Sequence, residues 1–381
     1  MKKLIFISLL IFQAVALTAQ ETARVELKHF SSKESKDFPF EREILIYTPM
    51  EYDRNTASDC DVVYVFDSQW RSHFDLVCGL LESEQDETEN ELPFIVVGVI
   101  SPTKYELEYH RNNDFLPVPV HEKPTSPFYG NAENFKKFLK ETVMPYINEN
   151  YRTSGHTLAI GHSLGASFIL DALATDEMFD DYIAMSPNFA FDEHYFAKSL
   201  MNYDYYNGKP HYFFLSMANE CEKTGWGEHW RESWNMVKNQ INSTEYPDYI
   251  SFTIKEFPEY SHMKGYLPGL MGSLKDWALY RHSERLTDTE YYPVHIELTG
   301  DGISGDVYIT GNQDGLANWN AEGVKMTEVN ENTRSIDLML RLPAEFKFTC
   351  GSWETEIVPN NAYPGNLRIG RADRGIKKFE I

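Results

Sequence analysis

Cysteine is scarce in this sequence, and no segment beyond the N-terminus is apolar enough to predict a membrane span. The 381 residues include four cysteines, and their spacing matches no zinc site. Cys60 and Cys78 flank one strand–loop unit and could pair in an oxidising compartment, but free thiols are the favoured interpretation. The small number of cysteines excludes a fold held together by zinc sites or by many disulfides. Repeats and low-complexity tracts are absent as well, which excludes a solenoid.

Positive charge is also in short supply. Lys and Arg number 35 against 58 Asp and Glu, for a net charge of −23. This balance disfavours nucleic acids and anionic membranes as partners, since both bind positive patches. A length of 381 residues with 42% hydrophobic residues predicts two domains and a sizeable core.

The N-terminus has the pattern of a secretory signal. Met-Lys-Lys precedes a short apolar run that ends at Leu17, and small residues follow. We expect a signal peptide over residues 1–19 with cleavage after Ala19, and a periplasmic or secreted protein without a membrane span.

Most of the chain alternates between short apolar runs and amphipathic segments. The runs predicted as strands are 42–49, 61–66, 94–100, 157–160, 182–187, 211–216 and 250–257. The segments predicted as helices are 131–151, 166–173, 228–240 and 266–280. This order is typical of βαβ units, and it predicts an α/β domain with a mostly parallel sheet over residues 24–286.

From Tyr292 the pattern changes to short alternating strands separated by Gly, Asn and Pro turns. The strands are predicted at 295–298, 307–310, 334–342 and 345–349. Residues 294–381 are therefore expected to form a small all-β sandwich.

The sequence Gly161-His162-Ser163-Leu164-Gly165 joins a predicted buried strand to an Ala- and Leu-rich helix. A serine in such a strand–turn–helix setting is lifted above the sheet as a nucleophile. The alternative is a glycine-rich turn with an incidental serine.

An activated serine needs a base and an acid, which follow it in the order acid, then His, in this fold. His262 comes directly after the last predicted strand and is the expected base. Glu220 follows the preceding strand and is the expected acid, with Glu222 as the alternative. Other histidines are interpreted as packing or surface residues: His211, His229 and His282.

The oxyanion of an acyl intermediate needs two N–H donors. We expect the backbone N–H of Leu164 to be one. The other is expected from the loop over residues 67–70, with Gln69 the favoured residue.

Together these segments resemble the esterase family that includes enterochelin-type siderophore esterases, S-formylglutathione hydrolase and bacterial mycolyltransferases. The resemblance rests on Arg42-Glu43-Ile44, Tyr64-Val65-Phe66-Asp67-Ser68 and Arg111-Asn112-Asn113-Asp114-Phe115-Leu116-Pro117, besides the nucleophile turn. It implies an α/β-hydrolase that cleaves an ester without a metal or cofactor, and it supports Gln69 as a donor. Ser68 departs from the glycine usual in the family.

Three residues near these motifs are candidate substrate contacts: Trp70, Arg111 and His162. An Arg111–Asp114 pair that braces the loop is the favoured alternative for the arginine.

The C-terminal region resembles a starch-binding carbohydrate module through Val307-Tyr308-Ile309-Thr310-Gly311-Asn312, Leu316-Ala317-Asn318-Trp319, Phe346-Lys347-Phe348 and Gly351-Ser352-Trp353-Glu354. The resemblance implies sugar stacking on Trp319 and Trp353, assisted by Lys347. The alternative is that both tryptophans pack in the sandwich core.

The main functional hypothesis is a serine esterase that acts on an acyl or feruloyl ester of a carbohydrate through an acyl-enzyme. A siderophore esterase and an acyltransferase are alternatives within the same fold. A non-catalytic glycan-binding protein is the alternative of another class.

Overall fold

In the computed structural model the described residues are 23–83, 93–103, 108–123, 126–282, 290–301, 303, 305–360, 362, 365–371 and 375–381. The predicted signal peptide lies outside these residues. Part of the segment between the two predicted domains, residues 287–289, also lies outside them.

The N-terminal region is built on an eight-stranded sheet in the order β1-β2-β4-β3-β5-β6-β7-β8. Its strands are β1 (Arg24–Phe30), β2 (Arg42–Thr48), β3 (Cys60–Val65), β4 (Phe94–Val99), β5 (Thr153–His162), β6 (Asp181–Met185), β7 (His211–Ala218) and β8 (Ile250–Phe257). β1, β2 and β4 pair antiparallel, and all pairs from β4 to β8 are parallel. The predicted mostly parallel sheet is therefore confirmed.

Helices cover both faces of this sheet, because its central strands are apolar on both sides. The helices are Glu51–Arg54, Arg71–Ser83, Arg111–Phe115, Ala132–Phe138, Met144–Asn150, Leu164–Asp176, Phe191–Met201, Glu228–Ser243 and Tyr266–His282. A π-helical turn, Leu139–Val143, joins the fourth helix to the fifth. The helix Leu164–Asp176 is buried on nearly every side, which matches its Ala- and Leu-rich sequence.

The C-terminal region contains two further sheets. One is four-stranded, in the order β12-β13-β9-β17, and the other is five-stranded and mostly follows the order β11-β10-β14-β15, with β16 on β14. The strands are β9 (Tyr292–Thr299), β10 (Tyr308–Gly311), β11 (Val324–Lys325), β12 (Thr327–Asn330), β13 (Thr333–Leu340), β14 (Ala344–Thr349), β15 (Glu356–Ile357), β16 (Leu367–Ile369) and β17 (Gly375–Glu380). Two short 3-10 helices, Asp314–Trp319 and Trp353–Thr355, interrupt them. The predicted all-β class of this region is confirmed, while the domain boundaries stay predictions.

The C-terminal region docks on the amino ends of the parallel strands of the first sheet. Asp61 in β3 is fully buried and accepts ion pairs from Arg281, at 2.9 Å, and from Arg368 of the C-terminal region, at 2.8 Å. Arg371 pairs with Asp180, just before β6, at 3.1 Å. At Gly370 a Cβ would lie 2.3 Å from the Cα of Ser154, so the two backbones meet directly.

All four cysteines are free, two of them buried. Burial raises the pKa of the Cys60 thiol to about 12, so this thiol is inert at neutral pH. The interpretation as free thiols is therefore confirmed, and Cys60 and Cys78 do not pair. Among the residues with described structure, no helix is long and apolar enough to cross a membrane.

Candidate active site

Ser163 lies in a strained turn between β5 and the helix Leu164–Asp176. Its φ of 58° and ψ of −123° are uncommon for a residue with a side chain, and such a conformation costs about 1–3 kcal/mol. The turn is held by the hydrogen bond from the Ser163 N–H to the Met185 carbonyl, at 2.9 Å. Strain that persists at one serine above the carboxyl end of a parallel strand is typical of a nucleophile turn.

The two flanking glycines let the strand and the helix pack closely at this turn. A Cβ on Gly161 would lie 2.5 Å from the backbone carbonyl of Gly165, which is a prohibitive clash. A Cβ on Gly165 would lie 3.1 Å from Oδ2 of Asp67, in the neighbouring loop. The glycines therefore set the position of Ser163 relative to that loop.

Glu220 and His262 form a buried acid–base pair. His262 Nδ1 lies 3.0 Å from Glu220 Oε1, and the two residues are 3% and 1% exposed. Both follow parallel strands, β7 and β8, so they lie at the same edge of the sheet as Ser163. With Nδ1 of the imidazole facing the carboxylate, Nε2 of His262 is buried and has no hydrogen-bond partner in the described part of the chain. That atom is the one a general base needs free for a serine hydroxyl.

The alternative acid, Glu222, lies on the surface. Its side chain is 71% exposed and interacts with Asn219 and Arg231. The structure therefore favours Glu220 of the two candidates.

Trp226 is a residue of this site that sequence reasoning missed. Its ring centroid is 4.4 Å from that of His262, and its side chain remains 39% exposed. Its backbone N–H donates to the Glu220 carbonyl at 2.9 Å, so the loop that carries Glu220 also carries this indole. The sequence does contain a signal, a tryptophan between two glycines. The loop has no periodic pattern, however, so nothing in the local sequence related this tryptophan to His262.

The loop after β3 carries the second candidate oxyanion donor. Ser68 is buried, where its hydroxyl donates to the Val65 carbonyl at 2.8 Å and its N–H donates to the Val99 carbonyl at 3.0 Å. The Gln69 side chain bridges Asp67 and the backbone N–H of Ser101. Its backbone N–H makes no hydrogen bond to any residue whose structure is described. The first N–H of a helix, here that of Leu164, also has no intrahelical partner.

Ser68 stands where the resemblance predicts glycine, and its side chain lies next to Gly98. A Cβ on Gly98 would lie 2.9 Å from the Ser68 hydroxyl and 2.5 Å from the Phe74 ring. Glycine at position 98 of β4 thus leaves space for the side chains of Ser68 and Phe74.

Arg111 pairs with a different aspartate from the one predicted. Its guanidinium donates two hydrogen bonds to Asp67, at 2.6 and 2.5 Å, and it is 8% exposed. Asp114 instead binds Arg42, at 2.9 Å. The predicted Arg111–Asp114 pair is therefore wrong, although Arg111 does brace a loop. It acts between two segments 44 residues apart, which local sequence could not indicate.

The other two candidate substrate contacts differ in exposure. Trp70 is 38% exposed and lies under the Arg111 guanidinium, 5.0 Å from it. His162 is 3% exposed, and its Nε2 lies 3.1 Å from the His262 carbonyl oxygen. The exposure of Trp70 is compatible with contact to a substrate. His162 instead contacts the segment that carries His262.

In the C-terminal region, Trp353 is 45% exposed, so it does not pack in the sandwich core. Trp319 is partly exposed and ends a 3-10 segment with a φ of 60°. Lys347 pairs with Glu356 at 3.2 Å. Sugar binding by these residues stays a prediction.

The comparisons with known proteins agree with this fold. The protein-family model described as "Putative esterase" matches residues 35–248. The chain therefore belongs to this esterase family, which confirms the family predicted from the sequence. The resemblance of the C-terminal region to a carbohydrate module stays a prediction.

A curated relative is the ferri-bacillibactin esterase BesA of Bacillus subtilis (strain 168). It is 29% identical over 127 residues, a match that covers 31% of this chain and 44% of the relative. The match thus spans less than half of the length of this relative.

Two solved structures share the fold. An IroE-like serine hydrolase from Shewanella oneidensis has a TM-score of 0.53 at 22% identity, covering 67% of this chain and 81% of its own. The siderophore hydrolase EstA from Aspergillus nidulans has a TM-score of 0.52 at 18% identity, covering 69% of this chain and 96% of its own. These likenesses confirm the predicted α/β-hydrolase fold.

Proposed function

We propose that the protein is a serine carboxylic ester hydrolase with Ser163 as nucleophile, His262 as general base and Glu220 as the acid that orients it. The observation that carries the proposal is the buried Glu220–His262 pair, which leaves His262 Nε2 without a partner at the edge of the sheet where Ser163 lies.

In the proposed reaction His262 Nε2 takes the proton of the Ser163 hydroxyl as its oxygen attacks the acyl carbonyl. The backbone N–H groups of Leu164 and Gln69 donate to the oxyanion. The C–O bond to the alcohol then breaks, and His262 returns the proton to the leaving oxygen. Water, deprotonated by the same imidazole, then attacks the acyl carbonyl, the bond to the Ser163 oxygen breaks, and His262 returns the proton to that oxygen as the acid leaves.

The direct test is Ser163→Ala on an aryl acetate, together with covalent labelling by a fluorophosphonate. We expect kcat to fall by on the order of 10⁴-fold or more and labelling to disappear, since only an activated serine reacts. Ser199→Ala is the matched control, because its hydroxyl bonds the carbonyl of Tyr195 in a helix away from the site. Unchanged turnover in Ser163→Ala, or labelling of another serine, would refute the assignment.

The ester is proposed to carry an aromatic group. The half-exposed indoles of Trp226 and Trp70 support this, because a flat apolar face suits an aromatic ring. The Bacillus subtilis relative, by its name, acts on ferri-bacillibactin. We therefore place a siderophore-type catecholate ester first and a feruloyl ester of a carbohydrate second. Turnover of both, measured beside an acetylated glycan, decides between them, and preference for the acetyl ester would refute the aromatic assignment.

The C-terminal region is proposed to hold a glycan, with Trp353 as its principal contact. Its exposure of 45% supports this, since a core residue would be covered. In affinity electrophoresis through soluble starch we expect retardation of the full chain and its loss in Trp353→Ala. Equal mobility of the two proteins with and without starch would refute the proposal.

Export to the periplasm or beyond is proposed from the N-terminal pattern alone. Mass spectrometry of the N-terminus after expression tests it, with Gln20 expected as the first residue.

A further inference from the structure

His162 precedes the nucleophile, and its side chain does not point to solvent. It ends β5, it is 3% exposed, and its ring centroid is 4.6 Å from that of His262. Its Nε2 lies 3.1 Å from the backbone carbonyl oxygen of His262. The strand that carries the nucleophile is thus linked by a hydrogen bond to the segment that carries the base.

The chemistry of this contact assigns the tautomer of His162. A carbonyl oxygen only accepts, so His162 Nε2 carries the proton and donates it. Burial, and then the neighbouring His262, lower the pKa of His162 well below its usual value of 6.5. His162 is therefore a neutral donor at neutral pH and is unsuited to act as a second base.

Among the described residues, two further hydrogen bonds hold His262, and both come from the loop that carries Glu220. The His262 N–H donates to the Thr224 hydroxyl at 3.0 Å, and Nδ1 meets Glu220 at 3.0 Å. These contacts orient the imidazole toward its acid. The bond from His162 is different, because it comes from the residue next to Ser163 and so relates the base to its nucleophile.

We propose that His162 is a positioning residue that sets the separation between the His262 imidazole and the Ser163 hydroxyl by holding the His262 carbonyl. The inference rests on the proposed esterase function. Its consequence is kinetic, because a displacement of about 1 Å between reacting groups can lower a rate by about 10²-fold.

The test compares His162→Leu, which removes the donor, with His162→Gln, which keeps an N–H at similar reach. With an aryl acetate we expect kcat to fall by roughly 10- to 100-fold in the Leu variant with KM within about twofold, and the Gln variant to recover most of the loss. The rate of fluorophosphonate labelling should fall in parallel with kcat. The acidic limb of the kcat/KM profile should stay in place, because Glu220 still orients the base.

His211→Leu is the matched control. His211 is also buried and bonded, to the Asp180 carbonyl and to Tyr203, but it begins β7 at the opposite end of the sheet. We expect this variant to lower the melting temperature while leaving kcat unchanged. If His162→Leu cannot be purified folded, His162→Asn replaces it, since its amide is one methylene shorter than that of Gln and should not reach the carbonyl.

Equal kcat in the donor and non-donor variants would overturn the proposal, as would a shifted acidic limb, which would indicate an electrostatic role. These outcomes are distinct from failure of the proposed function. In that case Ser163→Ala would keep full activity and wild type would resist labelling.

Discussion

The Glu220–His262 pair at the carboxyl end of the parallel sheet and Asp61 at its amino end differ in how fully their polar atoms are hydrogen-bonded. At the carboxyl end, His262 Nε2 and Glu220 Oε2 are buried without hydrogen-bond partners in the described part of the chain. At the amino end, Asp61 has Arg281, Arg368 and Ser154 within 3.0 Å. Unpartnered buried polar atoms are costly, so the free atoms of the Glu220–His262 pair contrast with the carboxylate of Asp61, which three side chains contact.

The Asp61 cluster lies far from the Glu220–His262 pair. Ser154 and His162 lie near opposite ends of β5, about 26 Å apart for a strand that rises 3.3 Å per residue. The contacts that dock the C-terminal region therefore lie far from Ser163. Substitutions at one end should change turnover, and substitutions at the other should change stability.

At the carboxyl end, Glu220→Gln has the largest expected effect after Ser163→Ala. The amide cannot stabilise the imidazolium and favours the wrong tautomer, so kcat on an aryl ester should fall by on the order of 10³- to 10⁴-fold. Glu222→Gln is the control and should stay within about twofold, because Glu222 is exposed. A larger loss in Glu222→Gln than in Glu220→Gln would reverse the assignment of the acid.

At the amino end, Asp61→Asn should destabilise the fold while leaving kcat unchanged below the unfolding transition. It leaves the buried guanidinium groups of Arg281 and Arg368 without their carboxylate, which costs about 3–5 kcal/mol. Urea unfolding measures the effect. Asp53→Asn breaks the exposed pair with Arg24 and is the control, with little change expected. A fall in kcat with unchanged stability would contradict the comparison between the two ends.

The smallest effect is on the pH dependence of stability. Burial opposes ionisation of Asp61, but Arg281 and Arg368 outweigh it and hold the pKa below its usual value of 3.8. Between the folded pKa and the unfolded pKa, near 3.9, the unfolded state binds more protons. The contribution of Asp61 is therefore fully present above the unfolded pKa and is lost as the pH falls through the folded pKa.

Urea unfolding at pH 5, 4 and 3 should show that the free energy of unfolding falls less steeply with decreasing pH in Asp61→Asn than in wild type. The difference in slope should correspond to the binding of up to one proton. Asp53→Asn should retain the wild-type slope. An unchanged slope in Asp61→Asn would show that the carboxylate is not held ionised in the folded protein.

Local sequence predicted the central sheet well because its strands are short apolar runs bounded by turn residues. It missed β1, whose residues are mostly exposed at the sheet edge, and the helices Arg71–Ser83 and Phe191–Met201. It also predicted only residues 157–160 of β5, because that strand begins with polar residues and a glycine that contact the C-terminal region.

The sequence by itself determined the class of both regions and predicted the turn around Ser163 and the chain order of Ser163, Glu220 and His262, because strand and helix periodicity and turn chemistry are local. Only the tertiary structure paired Glu220 with His262, paired Arg111 with Asp67, and placed Trp226 and His162 against His262. The docking of the C-terminal region on Asp61 likewise depends on Arg368, a residue from the other end of the chain. Such contacts join segments distant in sequence, so no local pattern encodes them.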